Sequence, residues 1–362
     1  MNNGFIKHWW KLLGVLILLY VFSAGFIVPL KPGVISLVPT SILSGKSSNV
    51  TISAYNSHFD ELESGDIKAF LKIDSVHVIQ ATSVTAINRK TLDVAFDVPY
   101  KLPNNSEFER STLVIYNTVD GYMVTPSALT VQQGDAAENT DSFVTVRTWN
   151  DQITLAEVPW TFSFPFRGIL YETIRNTFFH VAIWFAMFIL LIVSLVYSVK
   201  YLNTKSLYYD AVAASFTHVA IGFGLIGMAT GSVWAKSAWG AYWTNDPKLN
   251  MSVVSLMIYI AYAILRSSFT ADDRRAQVSA AYNIFAFCAM IPLIFIIPRL
   301  TSSLHPGNGG NPALGGEDLD NTLRMIFYPS IIGLSILGVW MSSLLYRVRK
   351  LEIIKIEKQL ST

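Results

Sequence analysis

Six long apolar stretches, parted by polar segments, dominate the hydrophobic pattern of this 362-residue chain. They lie at about 12–30, 178–199, 209–230, 249–266, 279–298 and 325–346. A helix needs roughly 20 apolar residues to cross the hydrocarbon, so each stretch predicts a transmembrane span. The first follows Lys7, His8 and Lys11 and runs into Pro29-Leu30-Lys31-Pro32 without a small-residue cleavage site. That predicts an uncleaved first helix within 1–32 instead of a signal peptide. Over 33–165 the pattern changes in kind. Short β-rich runs (Val50-Thr-Ile-Ser-Ala54, Val76-His-Val-Ile79, Leu92-Asp-Val-Ala-Phe96, Thr112-Leu-Val-Ile-Tyr116) alternate with turn clusters at Asn56-Ser57, Pro103-Asn-Asn-Ser106 and Asp120-Gly121. This rhythm predicts a small antiparallel β-sandwich inserted between helices 1 and 2.

Composition sharpens the picture. Hydrophobic residues make up 52% and charged residues 14%, whereas soluble domains carry about 25% charged residues. Mean hydropathy is +0.40. The net charge of +2 comes from few, scattered basic residues, which excludes a nucleic-acid footprint. The single Cys288 lies in an apolar run, which excludes a disulfide framework and thiolate-held zinc or iron–sulfur sites. Any metal is then held by histidine, carboxylate or a cofactor. Lys200 and Lys205, then Arg266, Arg274 and Arg275, then Arg347, Arg349 and Lys350 fall in segments expected on the inner side. The outer loops at 231–248 and 299–324 hold Lys236, Lys248, Arg299 and Arg324, balanced in part by Asp246, Glu317, Asp318 and Asp320. Because basic residues concentrate in cytoplasmic loops, both termini are expected inside and the sandwich outside. A five-helix membrane domain over 166–350 and a cytoplasmic tail over 351–362 complete the expected plan, which suits the inner (plasma) membrane of a two-membrane bacterium.

Candidate chemistry sits in Gly231-Ser-Val-Trp-Ala-Lys-Ser-Ala-Trp-Gly-Ala-Tyr-Trp-Thr-Asn-Asp-Pro-Lys248. Trp234, Trp239, Tyr242 and Trp243 offer flat apolar surfaces with polar tips, and Asp246 closes the loop. A planar, largely apolar macrocycle with charged edges suits such a surface. Two histidines are expected on the same side, His180 at the start of the second span and His305 in Ser303-Leu-His-Pro-Gly307. Neutral imidazole is the commonest haem-iron ligand. Each histidine alone also reads as an ordinary hydrogen-bonded residue. His218, in mid-span, reads first as a helix–helix hydrogen-bond partner, and His8, His58 and His77 have no comparable setting. Gly222, Gly224, Gly227 and Gly231 read as a packing face, and Trp9 and Trp10 as interface residues.

Trp239-Gly-Ala-Tyr-Trp243-Thr-Asn245-Asp246 resembles the tryptophan-rich signature, roughly W-G-x-x-W-x-W-D, of the haem-handling family that includes CcmC and CcsA. Gly231-Ser-Val-Trp-Ala-Lys236 is similar to that family's lead-in, and Arg167-Gly-Ile-Leu-Tyr171 through His180 to its approach to a first histidine. Asp272-Asp-Arg-Arg275 is similar to one of its inner loops, so the likeness spans the first helix and about 165–350. It implies haem b, transiently bound, with His180 and His305 as axial iron ligands. Trp234, Trp239, Tyr242, Trp243 and Asp246 would form the platform. Six spans and a short C-terminus look closer to CcmC than to the larger CcsA-type synthases. The implied partners are a periplasmic haem chaperone of the CcmE type, CcmA, CcmB, apocytochrome c and membrane lipid, with no nucleic acid. Lys236, Lys248, Arg175 and Arg299 are candidates for pairing with the propionates. Two features depart from the family: Asn245 stands where the motif has its last Trp, and the β-rich insert is not part of the usual plan.

The cofactor carries the reactivity in this reading, so a haem carrier in cytochrome c maturation is expected instead of an enzyme. The alternatives are a CcsA-like haem exporter or synthase component, and a membrane-anchored sensor or adhesion protein.

Overall fold

The computed structural model describes residues 3–103, 106–135, 147–149, 162–168, 170–305 and 319–360. The centre of the expected turn at Asn104-Asn105, the Pro306-Gly307 step, Glu317 and Asp318 lie outside the described residues. The chain divides into two compact units, Pro29–Tyr171 on one hand and Met1–Val28 with Glu172–Thr362 on the other.

Among the described residues nine strands build the first unit: β1 Gly33–Val38, β2 Ser41–Leu43, β3 Ser47–Tyr55, β4 Lys68–Lys72, β5 Val78–Gln80, β6 Ser83–Asn88, β7 Thr91–Asp97, β8 Phe108–Asn117 and β9 Gly121–Gln132. They form one sheet in the order β1-β3-β7-β6 and a second in the order β2-β9-β8-β4-β5. Lettered along the chain, this is the immunoglobulin arrangement of one sheet ABED and one sheet built on GFC. The first strand is split between the sheets, so that β2 pairs parallel with β9. Val50, Ile52, Leu92, Val94, Phe96, Leu113 and Ile115 alternate inward and are fully buried with Trp149 close by. No cysteine pair is available to join the two sheets, and this apolar layer packs them together.

The expected strand at 76–79 is shorter than its composition suggests. The Asp74 carboxylate accepts the backbone N–H groups of Val76 and His77, both at 2.8 Å, and holds them in a turn instead of a ladder. Pairing starts only at Val78. His77 bonds Asp74 through Nδ1 at 2.7 Å, and His58 bonds the buried Asp120 at 2.8 Å. Both histidines therefore serve the sandwich.

The second unit contains α1 Asn3–Ile27, α2 Ala182–Thr204, α3 Leu207–Trp239, α4 Pro247–Ser267, α5 Asp272–Ile291 and α6 Asn321–Leu360. Among the described residues six helices are long and apolar enough to cross a membrane, so the chain is a polytopic helical membrane protein. Its outer surface is apolar, with Ile27 78% and Ile264 65% exposed. The interior joins α2 and α3 through Ile183, Ala186, Met187, Leu190, Val219, Ala220 and Phe223. A polar knot lies within it. Asn283 on α5 donates to Ser194 and Ser198 of α2, each at 2.8 Å, and Ser194 meets Thr217 of α3 at 2.6 Å. Lipid supplies no hydrogen-bond partners, so such groups pair across helices. Near the start of α3, Asp210 binds Arg266 of α4 through two hydrogen bonds of 2.7 and 2.6 Å.

Three boundaries differ from expectation. The third span, expected to end near 230, continues to Trp239, because 232–239 contains neither glycine nor proline. It stops at Gly240, whose φ of +80° is left-handed and favours glycine. The Gly240 N–H donates to the Lys236 carbonyl at 3.1 Å, and the Lys236 ammonium donates to the Gly240 carbonyl at 2.8 Å. The fifth span begins at Asp272 instead of 279, with Asp272 and Asp273 favourably placed in its first turn. The segment expected as a tail from 351 instead continues α6 to Leu360, since no glycine or proline interrupts it. Ser361 and Thr362 lie outside the described residues.

Candidate functional site

Every residue of the candidate site belongs to the membrane unit. The chain enters α2 through a 3-10 turn at Tyr171–Arg175 and a π-turn at Thr177–Val181 that carries His180. π-turns interrupt the regular helix ladder and recur at functional sites. Here the turn is stitched in place: the Phe178 carbonyl accepts a hydrogen bond from the Ser330 hydroxyl on α6.

His180 Nδ1 lies 3.0 Å from the Gly227 carbonyl oxygen and 3.1 Å from Thr230 Oγ1, both on α3. A carbonyl only accepts, so Nδ1 carries the proton. In the neutral ring Nε2 then holds the free lone pair. A carbonyl behind the non-ligating nitrogen is the usual way a protein fixes the tautomer of a metal-binding histidine. Gly231 faces the same imidazole so closely that a Cβ there would stand 2.5 Å from Cε1. At Gly227 a Cβ would stand 2.9 Å from the Trp184 ring, and that ring meets His180 edge-on at 6.3 Å. Gly224 and Gly227 thus lie against neighbouring helices, as the sequence suggests, and Gly231 clears space for His180, whereas a Cβ at Gly222 would meet nothing within 4 Å.

About one turn and two turns further along α3, Trp234 and Trp239 meet edge-on, their centroids 4.9 Å apart. His305 sits against both rings, 5.8 Å from Trp234 and 5.0 Å from Trp239. Gly227, Thr230, Gly231 and Trp234 follow the i, i+3, i+4, i+7 spacing of one helix face. The end of α3 therefore touches one histidine with its glycines and the other with its tryptophans.

Asp246, buried at 3% exposure, ties the remaining pieces together. Its carboxylate caps α4 by accepting from the N–H groups of Lys248 at 2.9 Å and Leu249 at 3.4 Å. It also accepts from the Ser303 hydroxyl at 3.0 Å and the Leu304 N–H at 2.7 Å. The histidine-bearing segment is thereby pinned to the tryptophan-rich turn. Burial alone would raise the Asp246 pKa, but donors from Ser303, Leu304 and Lys248 outweigh it and hold the carboxyl below its usual range. Burial pushes His305 the other way, down to about 4, reinforced by the Lys248 ammonium and opposed by Asp246. Its imidazole is accordingly neutral at pH 7 and able to ligate a metal.

Other expected site residues are placed differently. Tyr242 and Trp243 remain 60% and 43% exposed. Among the described residues neither makes a ring contact with a histidine. The Lys236 ammonium lies over the Tyr242 ring at 5.6 Å besides capping α3. Asn245 Oδ1 accepts from the Asn250 amide at 2.7 Å. Arg175, expected to face an anionic ligand, instead donates to the Gly25 and Val28 carbonyls at the end of α1, at 2.8 and 2.7 Å, and pairs with Glu172. A guanidinium is a good cap for carbonyls left open at a helix end. Arg299 stays exposed, while Lys248 lies close enough to act on His305. His218 does not bridge helices through Nδ1 as expected. That atom bonds its own helix at Ala214 O, 2.6 Å away, and the ring meets Tyr262 of α4 edge-on at 6.2 Å.

The family model described as "Heme exporter protein C" (CcmC) matches residues 153–361, more than half of the chain. The chain belongs to the CcmC family. Both candidate histidines, the tryptophans and Asp246 fall within the match, whereas α1 and most of the sandwich precede it. Among curated CcmC relatives, "Heme exporter protein C" of Escherichia coli (strain K12) is 27% identical over 218 residues, covering 57% of this chain and 82% of that protein. The protein of the same name from Haemophilus influenzae is 22% identical over 185 residues, 51% of this chain and 71% of its own length. "Cytochrome c biogenesis protein CcsA" of Prochlorococcus marinus (strain MIT 9515) is 36% identical over 73 residues, 20% of this chain and 23% of that protein.

Proposed function

We propose that this chain holds haem b transiently at the outer face of the bacterial inner membrane and delivers it to a periplasmic chaperone of the CcmE type. Family membership supports the broader part of this reading, a role in haem handling and cytochrome c maturation. The ligand assignment rests on one observation: the end of α3 meets two imidazoles, one backed at Nδ1 by the Gly227 carbonyl and the other packed on Trp234 and Trp239.

The residues fit haem as cargo. His180 and His305 would supply two ligands to the iron, and Trp234 and Trp239 would supply apolar surface for the macrocycle. The exposed Tyr242 and Trp243 would form the rim where a recipient meets the ring. Lys248 would pair with a propionate. No protein nucleophile or acid–base pair is required, so the chain acts by binding and positioning and not as an enzyme. CcmA and CcmB would be its membrane partners, with both termini cytoplasmic and the sandwich periplasmic. The sandwich would then be available to the chaperone or to apocytochrome c.

Absorption spectra of the detergent-purified protein, oxidised and reduced, test this beside His180→Ala and His305→Ala. A six-coordinate low-spin spectrum, altered in both variants, is expected. Absence of a Soret band in protein from haem-replete cells would overturn the ligation, and identical spectra in all three proteins would move the ligands elsewhere. The short match to a CcsA protein favours a second reading, in which the chain is part of a synthase. Cytochrome c maturation that persists without a CcmE-type chaperone would select it.

A further inference from the structure

The two imidazoles are not equivalent, and the difference points to a role for Asp246 beyond its clamp. His180 Nδ1 already has its partner, the neutral Gly227 carbonyl. Among the described residues the buried His305 Nδ1 has no hydrogen-bond partner. Asp246 Oδ1 lies 3.8 Å from it, too far for a hydrogen bond. That carboxylate is itself buried and is fixed from two sides, by the α4 cap and by the Ser303–Leu304 segment. Its bond from the Leu249 N–H is long, at 3.4 Å, and is the contact most easily given up.

We infer that Asp246 is the positioning residue for iron ligation by His305: when Nε2 binds the haem iron, Nδ1–H closes onto the Asp246 carboxylate. The closure needs a shift of about 1 Å to reach ordinary hydrogen-bond length. No proton changes owner. The Nδ1 proton stays on the imidazole and is shared with the carboxylate, giving a carboxylate–histidine–iron relay. Histidines backed in this way are stronger donors than those backed by a carbonyl. His305 would therefore be the electron-richer ligand and would favour ferric iron, while His180 would be the weaker partner. The inference rests on the axial-ligand reading above, and the experiments separate the two.

The full-length protein in detergent is loaded with haem, and affinity and midpoint potential are measured for wild type, Asp246→Asn and Ser303→Ala. Asp246→Asn is expected to weaken haem binding by about tenfold to a hundredfold and to raise the midpoint potential of the haem that remains bound. Ser303→Ala removes a donor to the carboxylate and the acceptor of the His305 N–H but keeps the carboxylate itself, so its potential should not rise above the wild-type value. An Asp246→Asn protein with lowered affinity and unchanged potential would reduce Asp246 to a clamp and overturn the inference. Should that variant fail to fold, His305→Gly with Asp246 intact gives a second test, using free imidazole or 1-methylimidazole as the replacement ligand. Only imidazole retains an N–H for the carboxylate. It is expected to bind about tenfold more tightly and to give the lower potential; equal behaviour of the two ligands overturns the inference. A wild-type protein that takes up no haem, or a His305→Gly protein with the wild-type spectrum, refutes the ligand reading itself and removes this inference with it.

Discussion

Replacing Gly231 by alanine places a methyl group 2.5 Å from Cε1 of the His180 ring. Ordinary carbon–carbon contact begins near 3.5 Å, so the imidazole must withdraw by about 1 Å. The bonds from Nδ1 to Gly227 O and Thr230 Oγ1, now 3.0 and 3.1 Å, cannot both survive that shift. Losing them costs about 1 kcal/mol apiece, and residual crowding adds about 1–3 kcal/mol. Alanine's better helix propensity returns about 1 kcal/mol. The fold should therefore lose only about 1–4 kcal/mol, while His180 leaves its ligating position and haem affinity falls at least about tenfold, as for other lost ligand supports. Gly222→Ala is the matched control on the same helix, because a Cβ there meets nothing within 4 Å. Haem titration followed at the Soret band, with thermal unfolding in detergent, reads both quantities. If Gly231→Ala binds haem with wild-type affinity and spectrum, His180 does not ligate from this position.

Removing one partner of the buried Asp210–Arg266 pair, as in Arg266→Ala, strands a charge and should cost about 3–5 kcal/mol; a loss under about 1 kcal/mol in chemical denaturation would contradict the pairing. Asn283→Ala deletes two hydrogen bonds between α5 and α2, each worth about 0.6 kcal/mol in a membrane bundle, so a drop of about 1–2 kcal/mol is expected by the same method. In the sandwich, the hydrogen bond from His77, joined by the N–H groups of His77 and Val76, lowers Asp74 to about 2. A depressed carboxyl stabilises the fold above its unfolded pKa near 3.8 and loses that contribution as pH falls through its folded value. Thermal melts should show an acid-dependent decrement between pH 4 and 2 that Asp74→Asn lacks; identical pH profiles would refute it.

The periodicity of the chain by itself determined the number of spans and the presence of an inserted β-sandwich. Twenty-residue apolar runs and short alternating strands are local patterns that leave little choice of element. The concentration of aromatic rings singled out the tryptophan-rich segment, while the expected topology and the resemblance to the haem-handling family pointed to His180 and His305. The sequence pattern misplaced the end of α3, since the tryptophan-rich stretch after 230 read as a loop although it holds no residue able to stop a helix between Gly231 and Gly240. It also offered Arg175 as a ligand partner, because charge alone does not reveal that a neighbouring helix end needs capping.

What only the tertiary structure decided is how the separate pieces meet. His180 and Gly227 are 47 positions apart, Asp246 and Leu304 58 positions apart, and no local pattern carries information over such distances. The roles of the Gly227 carbonyl, Gly231 and Ser303 are of this kind. A backbone oxygen, an absent side chain and a single hydroxyl are ordinary in sequence, and gain their meaning when helix packing sets them against a histidine or its carboxylate.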